Sequence, residues 1–194
     1  IYIFWESPNP PEDLKTEYDM QYIEANNYVV LSSINVQDLQ AEVLEYISSL
    51  KEVEELKGVK IRLNKDLNIE KCTFSYILAD IEGYYGIFEV TCRKEENWIM
   101  KSAEVSYYEG VSPVKECYYD NMDTRLQEKI DRTSLFIQQN SWYEFDVYSI
   151  EIFNQDIYLR ATEQNERGKV WSIHFNVLED GTLISIDEDN YGKE

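Results

Sequence analysis

Residues 169–190 read KVWSIHFNVLEDGTLISIDEDN and contain the clearest structural pattern in the chain. Apolar and polar residues alternate from Trp171 to Val177, which predicts a strand with one buried face. Asp180-Gly181 predicts a two-residue turn of type I′ that aligns Val177 with Ile184 on a second strand. The stretch therefore predicts an antiparallel hairpin with an apolar inner face.

His174, the single histidine of the chain, points away from the apolar face in this register. It joins a predicted row of exposed polar side chains that crosses the sheet, namely Ser149, Arg160, His174 and Asp187. Serine, histidine and aspartate are also the components of a hydrolase triad. Here two inter-strand spacings separate the serine from the histidine, roughly 10 Å, and no glycine-rich elbow accompanies the serine. We therefore predict a solvated, charge-complementary row, with no catalytic residue and no enzymatic activity.

A second hairpin is predicted around Ile81-Glu82-Gly83, because a three-residue loop with glycine last joins two alternating segments. This loop pairs Phe74 with Val90 on an apolar face. The same register places Cys72 opposite Cys92, within the separation at which a disulfide forms. A disulfide between them and two buried free thiols are the alternatives.

The loop Glu166-Arg167-Gly168 has the same form and pairs Leu159 with Phe175. Between the two hairpins, a strand over residues 98–108 lacks clean alternation, which predicts a bulge. If Gly168 is superposed on Gly83, the inward positions of the two hairpins coincide. The chain thus shows the pattern of two similar halves.

A helix is predicted over residues 36–57, where Asn35 is suited to cap its start and Gly58 to end it. Its apolar residues recur at intervals of three and four: Val36, Leu39, Val43, Ile47 and Leu50. Asp123 or Thr124 is suited to cap a second helix. The apolar residues of that helix are Leu126, Ile130 and Ile137.

These elements predict an α+β fold made of two tandem units, each a helix packed on an antiparallel β-meander, with an N-terminal arm. The arm or juxtamembrane segment covers residues 1–27 and the first unit residues 28–110. A connector over residues 111–122 leads to the second unit, residues 123–194.

The charge of the chain is strongly negative: 38 acidic residues face 18 basic ones, for a net charge of −20 over 194 residues. Nucleic acid and anionic membrane surfaces are disfavoured as partners, because both bind through clustered lysine and arginine. The charge predicts a soluble, self-repelling surface, and a basic protein partner whose charge this one cancels is the alternative.

Cofactor and metal motifs are missing from the sequence. One histidine and three scattered cysteines lack zinc-site spacing, and no glycine-rich phosphate loop occurs. We therefore predict no cofactor and no metal. An apolar cluster on the outward face of the first hairpin, formed by Ile77, Tyr85 and Ile87, predicts a contact surface for the second unit or for a partner.

The opening residues, IYIFW at 1–5, precede a proline-rich acidic stretch. Such an aromatic segment is typical of the flank of a membrane anchor or signal segment, and an edge strand is the alternative. The former predicts an extracytoplasmic protein of the cell envelope that meets the membrane only through an upstream anchor. The latter leaves a cytoplasmic location open.

The segment from Val170-Trp171 through Phe175 and Asp180-Gly181 to Ile186-Asp187 and Gly192 resembles the closing hairpin of PepSY-like domains. The helix-plus-meander plan is similar to cystatin-like and NTF2-like domains, which occur in tandem in cell-envelope proteins. The resemblance implies a module that binds or regulates a partner and supplies no catalytic residue.

Two functions are therefore expected. The first is a non-enzymatic, extracytoplasmic, membrane-anchored protein-interaction domain of the cell envelope. The alternative is a soluble acidic inhibitor or immunity protein that neutralises a basic toxin or enzyme.

Overall fold

A computed structural model of the chain describes residues 29–49, 53–78, 83–110, 125–140, 145–163 and 168–191. Within these ranges the chain forms two helices and nine strands. In chain order they are β1 (Val29–Leu31), α1 (Val36–Ser48), β2 (Val53–Asn64), β3 (Ile69–Leu78), β4 (Tyr84–Lys94), β5 (Trp98–Glu109), α2 (Leu126–Gln139), β6 (Val147–Phe153), β7 (Asp156–Thr162), β8 (Val170–Val177) and β9 (Leu183–Tyr191).

All nine strands belong to one sheet in the order β1-β5-β4-β3-β2-β6-β7-β8-β9, and every neighbouring pair is antiparallel. Strand β2 pairs with β6, where Ile61 lies opposite Ile150. One continuous core cluster runs through both halves of the chain. The prediction of two tandem helix-on-meander units is therefore wrong, because the pairing of β2 with β6 merges the strands into a single sheet.

Both helices pack on the same face of the sheet, which we call the inner face. The hydroxyl of Tyr76 on β3 lies 3.4 Å from the backbone carbonyl of Gln40 on α1. On α2, the ring of Phe136 stacks on Trp171 at 5.8 Å and meets Phe175 edge-on at 4.8 Å. The opposite face, which we call the outer face, carries polar residues such as Arg62, Lys71 and Ser149.

The two helices meet at their N-terminal ends and cap one another. The backbone N–H of Val36 donates to Gln127 on α2 at 2.9 Å, and the N–H of Gln127 donates to Gln37 on α1 at 3.1 Å. The side chain of Asn35 accepts from the N–H of Asp38 at 2.8 Å, which confirms the predicted cap. These bonds satisfy donors that a helix start otherwise leaves unpaired.

The C-terminal part of the first predicted helix is wrong. Helix α1 ends at Ser48, and Val53–Asn64 forms β2, so Gly58 ends no helix and lies at a register shift inside the strand. The glutamates and lysines around residues 51–57 favour a helix locally. Burial of the alternating residues that follow outweighs that preference, and these residues are Val59, Ile61 and Leu63.

The predicted register of the first hairpin is confirmed, with Cys72 opposite Cys92 and Phe74 opposite Val90. The predicted bulge is also present in β5: Ser102 faces Thr91 and Met100 faces Cys92, so one residue of β5 has no partner position.

The register of the C-terminal hairpin differs from the prediction. Val177 lies opposite Leu183, not Ile184. The N–H of Gly181 donates to the carbonyl of Leu178 at 2.8 Å, and Gly181 has a φ of +85°. The connection is therefore a three-residue loop closed by a left-handed glycine, and the predicted two-residue turn is wrong.

Several expectations fall on residues outside the described ranges. They are the arm at 1–27 with its opening residues 1–5, the connector at 111–122, and the predicted capping residues Asp123 and Thr124 themselves. Helix α2 begins at Leu126 with Arg125 in the N-cap position, so the predicted cap at Asp123 or Thr124 is wrong. No helix within the described ranges is long and apolar enough to span a membrane.

Candidate functional site

A groove on the outer face lies over β2, β3, β4 and β6. Its volume is about 650 Å³, which is within the range of small-molecule sites. Four of its side chains are cationic, and a larger number are polar or apolar. The lining residues are Lys57, Gly58, Val59, Lys60, Arg62, Lys71, Thr73, Ser75, Ile87, Glu89, Thr91, Val147, Ser149, Glu151, Ile152 and Phe153. We call this cavity the outer groove.

A row of basic side chains crosses the sheet at one end of the outer groove. Strand register places these residues directly opposite one another on five adjacent strands from β7 to β4: Arg160, Ser149, Arg62, Lys71 and Arg93. We call this set the basic row. Beyond β7 the same line continues through Ser172 to Asp189 on β9. The five residues of the basic row itself comprise four cations and one serine.

The cations of the basic row lie close together. Directly opposed residues on antiparallel strands have Cβ atoms roughly 4.5–5.5 Å apart, so Arg62, Lys71 and Arg93 span roughly 10 Å. Among the described residues, one ion pair reaches the row, from Arg62 Nε to Glu70 Oε2 at 3.8 Å, with both side chains about half exposed. A smaller depression of about 330 Å³ adjoins the groove here and adds Lys94 to its lining. Positive charge is thus concentrated at this end of the sheet.

The remainder of the outer groove combines hydroxyl groups, two carboxylates and an apolar wall. The hydroxyls of Thr73 and Thr91 lie 3.1 Å apart. Lys60 lies opposite Glu151 on β6. The ring of Phe153 lies beside Gly58, where an added Cβ would be 3.8 Å from Phe153 Cδ2 and 3.3 Å from the carbonyl oxygen of Ile152.

The predicted polar row is partly confirmed and partly wrong. Ser149 lies opposite Arg160 and His174 lies opposite Asp187, as predicted. Arg160, however, faces Ser172, and His174 faces Tyr158. The four residues therefore belong to two different rows, and Ser149 and Arg160 belong to the basic row.

This difference arises from the register of β7 with β8. Leu159 lies opposite Ile173, not Phe175, which is a shift of two residues. Such a shift keeps each side chain on its predicted face and changes only its neighbours. In the structure, His174 Nε2 lies 2.8 Å from Asp156 Oδ1, and the imidazole stacks on the ring of Tyr158 at 4.4 Å.

The predicted apolar contact surface is not exposed. Ile77 and Ile87 lie opposite one another on the outer face, but their side chains are buried, at 0% and 6% exposure. Tyr85 is half-buried and stacks on Tyr108 at 5.4 Å. These three residues therefore do not form an open docking surface.

The two opposed cysteines lie on the inner face, and both are buried free thiols in the structure. Burial and the neighbouring Cys92 raise the pKa of Cys72 well above its usual value. Burial and the charge of Glu42 raise the pKa of Cys92 to about 12. Both groups are therefore protonated and weakly reactive at neutral pH. Of the two predicted alternatives, the structure therefore has the buried free thiols.

Strand β9 forms one edge of the sheet and, in the part of the chain that the structure describes, pairs only with β8. Its side chains are exposed from Ile184 to Asn190, with Ile184 at 45% and Ile186 at 57% exposure. Asp187 and Asp189 project on the outer face, opposite His174 and Ser172. On the inner face, Glu188 accepts a hydrogen bond from Trp171 Nε1 at 2.8 Å. We call Leu183–Asp189 the β9 edge.

Neither the basic row nor the β9 edge was identified from sequence. Arg62 was missed because β2 was predicted to be a helix and a polar passage. The alternation in VKIRLN at residues 59–64 was the available signal. No three histidine, cysteine, aspartate or glutamate side chains in the described ranges come together as a metal site.

These features define an antiparallel α+β protein with one sheet, a basic groove on its outer face and an acidic edge. No protein-family model and no curated protein matches the sequence. The chain is similar to the solved structure of a tesB protein of Mycobacterium avium subs paratuberculosis, with 9% identity over 87% of this chain and 88% of that chain and a TM-score of 0.33. It is also similar to the peroxisomal multifunctional enzyme type 2 of Drosophila melanogaster, with 9% identity over 89% of this chain and 42% of that chain and a TM-score of 0.27. These TM-scores are too low to carry an argument about fold or function, and the resemblance to PepSY-like and cystatin-like domains stays a prediction.

Proposed function

We propose that the protein is a non-enzymatic interaction domain that binds an extended, basic segment of a protein partner along the β9 edge. The observation that carries this proposal is the edge itself. It is a nine-residue strand with exposed isoleucines and an acidic end. A sheet edge presents a row of backbone N–H and C=O groups that an incoming strand can pair with.

Charge and apolar contact give the edge its selectivity. Asp187 and Asp189 repel an acidic strand and attract lysine and arginine at alternate positions of a partner strand. Ile184 offers apolar contact on the same face. The net charge of −20 adds long-range attraction for a basic partner. Backbone pairing supplies affinity, and the acidic side chains supply the preference for a basic sequence.

An NMR titration tests the proposal with two synthetic peptides of equal length, one alternating lysine with valine and one alternating glutamate with valine. The lysine peptide should shift the backbone amides of the β9 edge and slow their hydrogen exchange, because new backbone hydrogen bonds protect them. The glutamate peptide should leave these amides unchanged.

The double variant Asp187→Lys and Asp189→Lys should reverse this preference. A matched control, Glu45→Lys with Asp131→Lys, makes the same change of charge on exposed helix positions and should bind the lysine peptide as the wild type does. Equal weakening in both double variants would mean that only the net charge matters, and strand addition at β9 would be wrong.

The acidic inhibitor of a basic toxin or enzyme remains the second candidate, because the same acidic edge would face a basic surface. The two candidates differ in what suffices for binding. An interaction domain that pairs β9 with a strand of its partner binds the isolated lysine peptide, whereas an inhibitor that recognises a folded surface does not. The extracytoplasmic, anchored setting stays a prediction from the sequence.

A further inference from the structure

We propose that the outer groove is a binding site for a small organic phosphate. The phosphate group lies among Lys60, Arg62 and Lys71, and the organic part lies against Phe153. This inference goes beyond the proposed interaction at the β9 edge. It involves other strands and a ligand of the opposite charge, so either proposal stands or falls without the other.

The first argument is the unusual placement of charge. Arg62, Lys71 and Arg93 lie directly opposite one another although like charges in these positions destabilise a sheet. The chain contains 38 acidic residues that could have occupied the neighbouring positions. A bound anion would neutralise the repulsion and turn an unfavourable arrangement into a favourable one.

Some basic residues elsewhere on the surface contact carboxylates closely. Arg125 and Arg132 both contact Glu128, at 2.6 and 2.9 Å. Lys101 contacts Glu95 at 3.1 Å. In contrast, within the described ranges the closest carboxylate contact of the basic row is the 3.8 Å approach of Glu70 to Arg62. The charge of the row is therefore available to a ligand.

The second argument is the match between the groove and a phosphate ester. An arginine guanidinium binds phosphate oxygens in a bidentate manner, and lysine ammonium groups bind them as point charges. Arg62, Lys60 and Lys71 supply both kinds of donor within one cavity, and the Thr73 and Thr91 hydroxyls add neutral donors. A dianionic phosphate balances this set better than a single carboxylate does.

The third argument concerns the size of the ligand. The cavity of about 650 Å³ holds a small molecule. Glu89 and Glu151 also line the cavity, with Glu151 directly opposite Lys60, and would repel a longer polyanion. Phe153 supplies an apolar wall. A compact ligand with one phosphate end and one apolar end therefore fits better than an acidic polypeptide.

Calorimetric titrations at constant ionic strength test this site with three probes: phenyl phosphate, pyrophosphate and the tricarboxylate citrate. The whole chain is used as wild type, Lys71→Gln, Lys71→Arg and Lys169→Gln. Lys169 is an exposed lysine outside the groove lining, so its variant has the same change of charge at another place. Chemical-shift mapping of the backbone amides locates each probe.

Phenyl phosphate should bind the wild type, Lys71→Arg and Lys169→Gln alike, and bind Lys71→Gln roughly tenfold more weakly, because one charged hydrogen-bond partner is lost. It should raise the melting temperature and shift the amides of Arg62, Thr73 and Thr91. The unliganded Lys71→Gln protein should melt at or above the wild-type temperature, which separates lost binding from lost folding.

Three results would overturn the proposal. The first is equal weakening in Lys71→Gln and Lys169→Gln, which shows attraction to net charge alone. The second is binding of citrate with no binding of either phosphate probe. The third is the absence of binding by all three probes, with polyglutamate shifting the groove amides instead, since this would make the groove a site for an acidic polypeptide.

Discussion

Replacement of Lys71 with glutamine tests whether the basic row lowers the stability of the protein. Lys71 lies directly opposite Arg62 on one side and Arg93 on the other. Each opposed pair of like charges is unfavourable by about 0.2–1 kcal/mol. Removing both repulsions should raise the free energy of unfolding by about 0.5–2 kcal/mol at low ionic strength.

Lys60→Gln is the matched control on the same face of the sheet. Lys60 lies opposite Glu151 on β6 and opposite Thr73 on β3. The same chemical change here removes an attraction, so the free energy of unfolding should fall by about 0.2–1 kcal/mol. Any intrinsic preference of lysine or glutamine for a strand is common to both variants.

Equilibrium urea unfolding followed by tryptophan fluorescence measures both variants in a buffer free of multivalent anions. Two salt concentrations are needed, about 0.01 M and about 1 M, between which the Debye length falls from about 30 to about 3 Å. The shifts should have opposite signs at low salt and shrink at high salt. Destabilisation by Lys71→Gln at low salt, or a shift that salt does not alter, would refute the electrostatic reasoning.

Three further predictions concern the core and the start of α1. Burial alone would raise the pKa of Glu42, but hydrogen bonds from the Ser33 side chain and from the backbone N–H groups of Ser32 and Ser33 lower it below 4.5. The carboxylate therefore stabilises the fold above pH 4.5, and this stabilisation is lost as the pH falls through the lowered pKa. Glu42→Gln should flatten the acid limb of a pH titration of unfolding. Phe175→Ala should lower the free energy of unfolding, measured by urea unfolding, by about 3–5 kcal/mol, because the residue is 2% exposed in a continuous core. A loss below about 1 kcal/mol would contradict the packing. Cys72 and Cys92 should resist iodoacetamide in the native protein at pH 8 and react after unfolding, because burial keeps both thiols protonated. Mass spectrometry measures the labelling, and rapid labelling of the native protein would contradict their burial.

Local signals in the sequence were sufficient for much of the secondary structure. The spacing of apolar residues and the capping side chain of Asn35 located the start of α1. Alternation and a glycine-ended loop predicted the pairing of β3 with β4 to the residue. In both cases the decisive residues are close together in the chain, so the pattern contains the structural information.

The end of α1 shows where local signals fail. The segment KEVEELK, residues 51–57, is rich in good helix formers. Strand β2 forms there because Leu56 and the alternating residues after it are buried against β3 and β6. Ile61 pairs with Ile150 on β6. These two residues lie far apart in the chain, so no local pattern predicts their contact.

The outer groove could not be predicted from the sequence, because it requires strand β2, which was not predicted. The outward positions of β3, β4 and β6 were predicted correctly, but without β2 no neighbour was available between Lys71 and Ser149. The predicted row of His174 and Arg160 failed for a different reason. Two registers of β7 on β8 bury the same residues, so periodicity alone does not choose between them.

The pairing of β2 with β6 is the contact on which the single sheet and the outer groove both depend. An NMR measurement of nuclear Overhauser effects across these strands tests it most directly. Backbone protons should show cross-strand effects between Arg62 and Ser149 and between Lys60 and Glu151, the directly opposed pairs. Their absence, with the effects between β2 and β3 intact, would contradict the single sheet and remove the basic row.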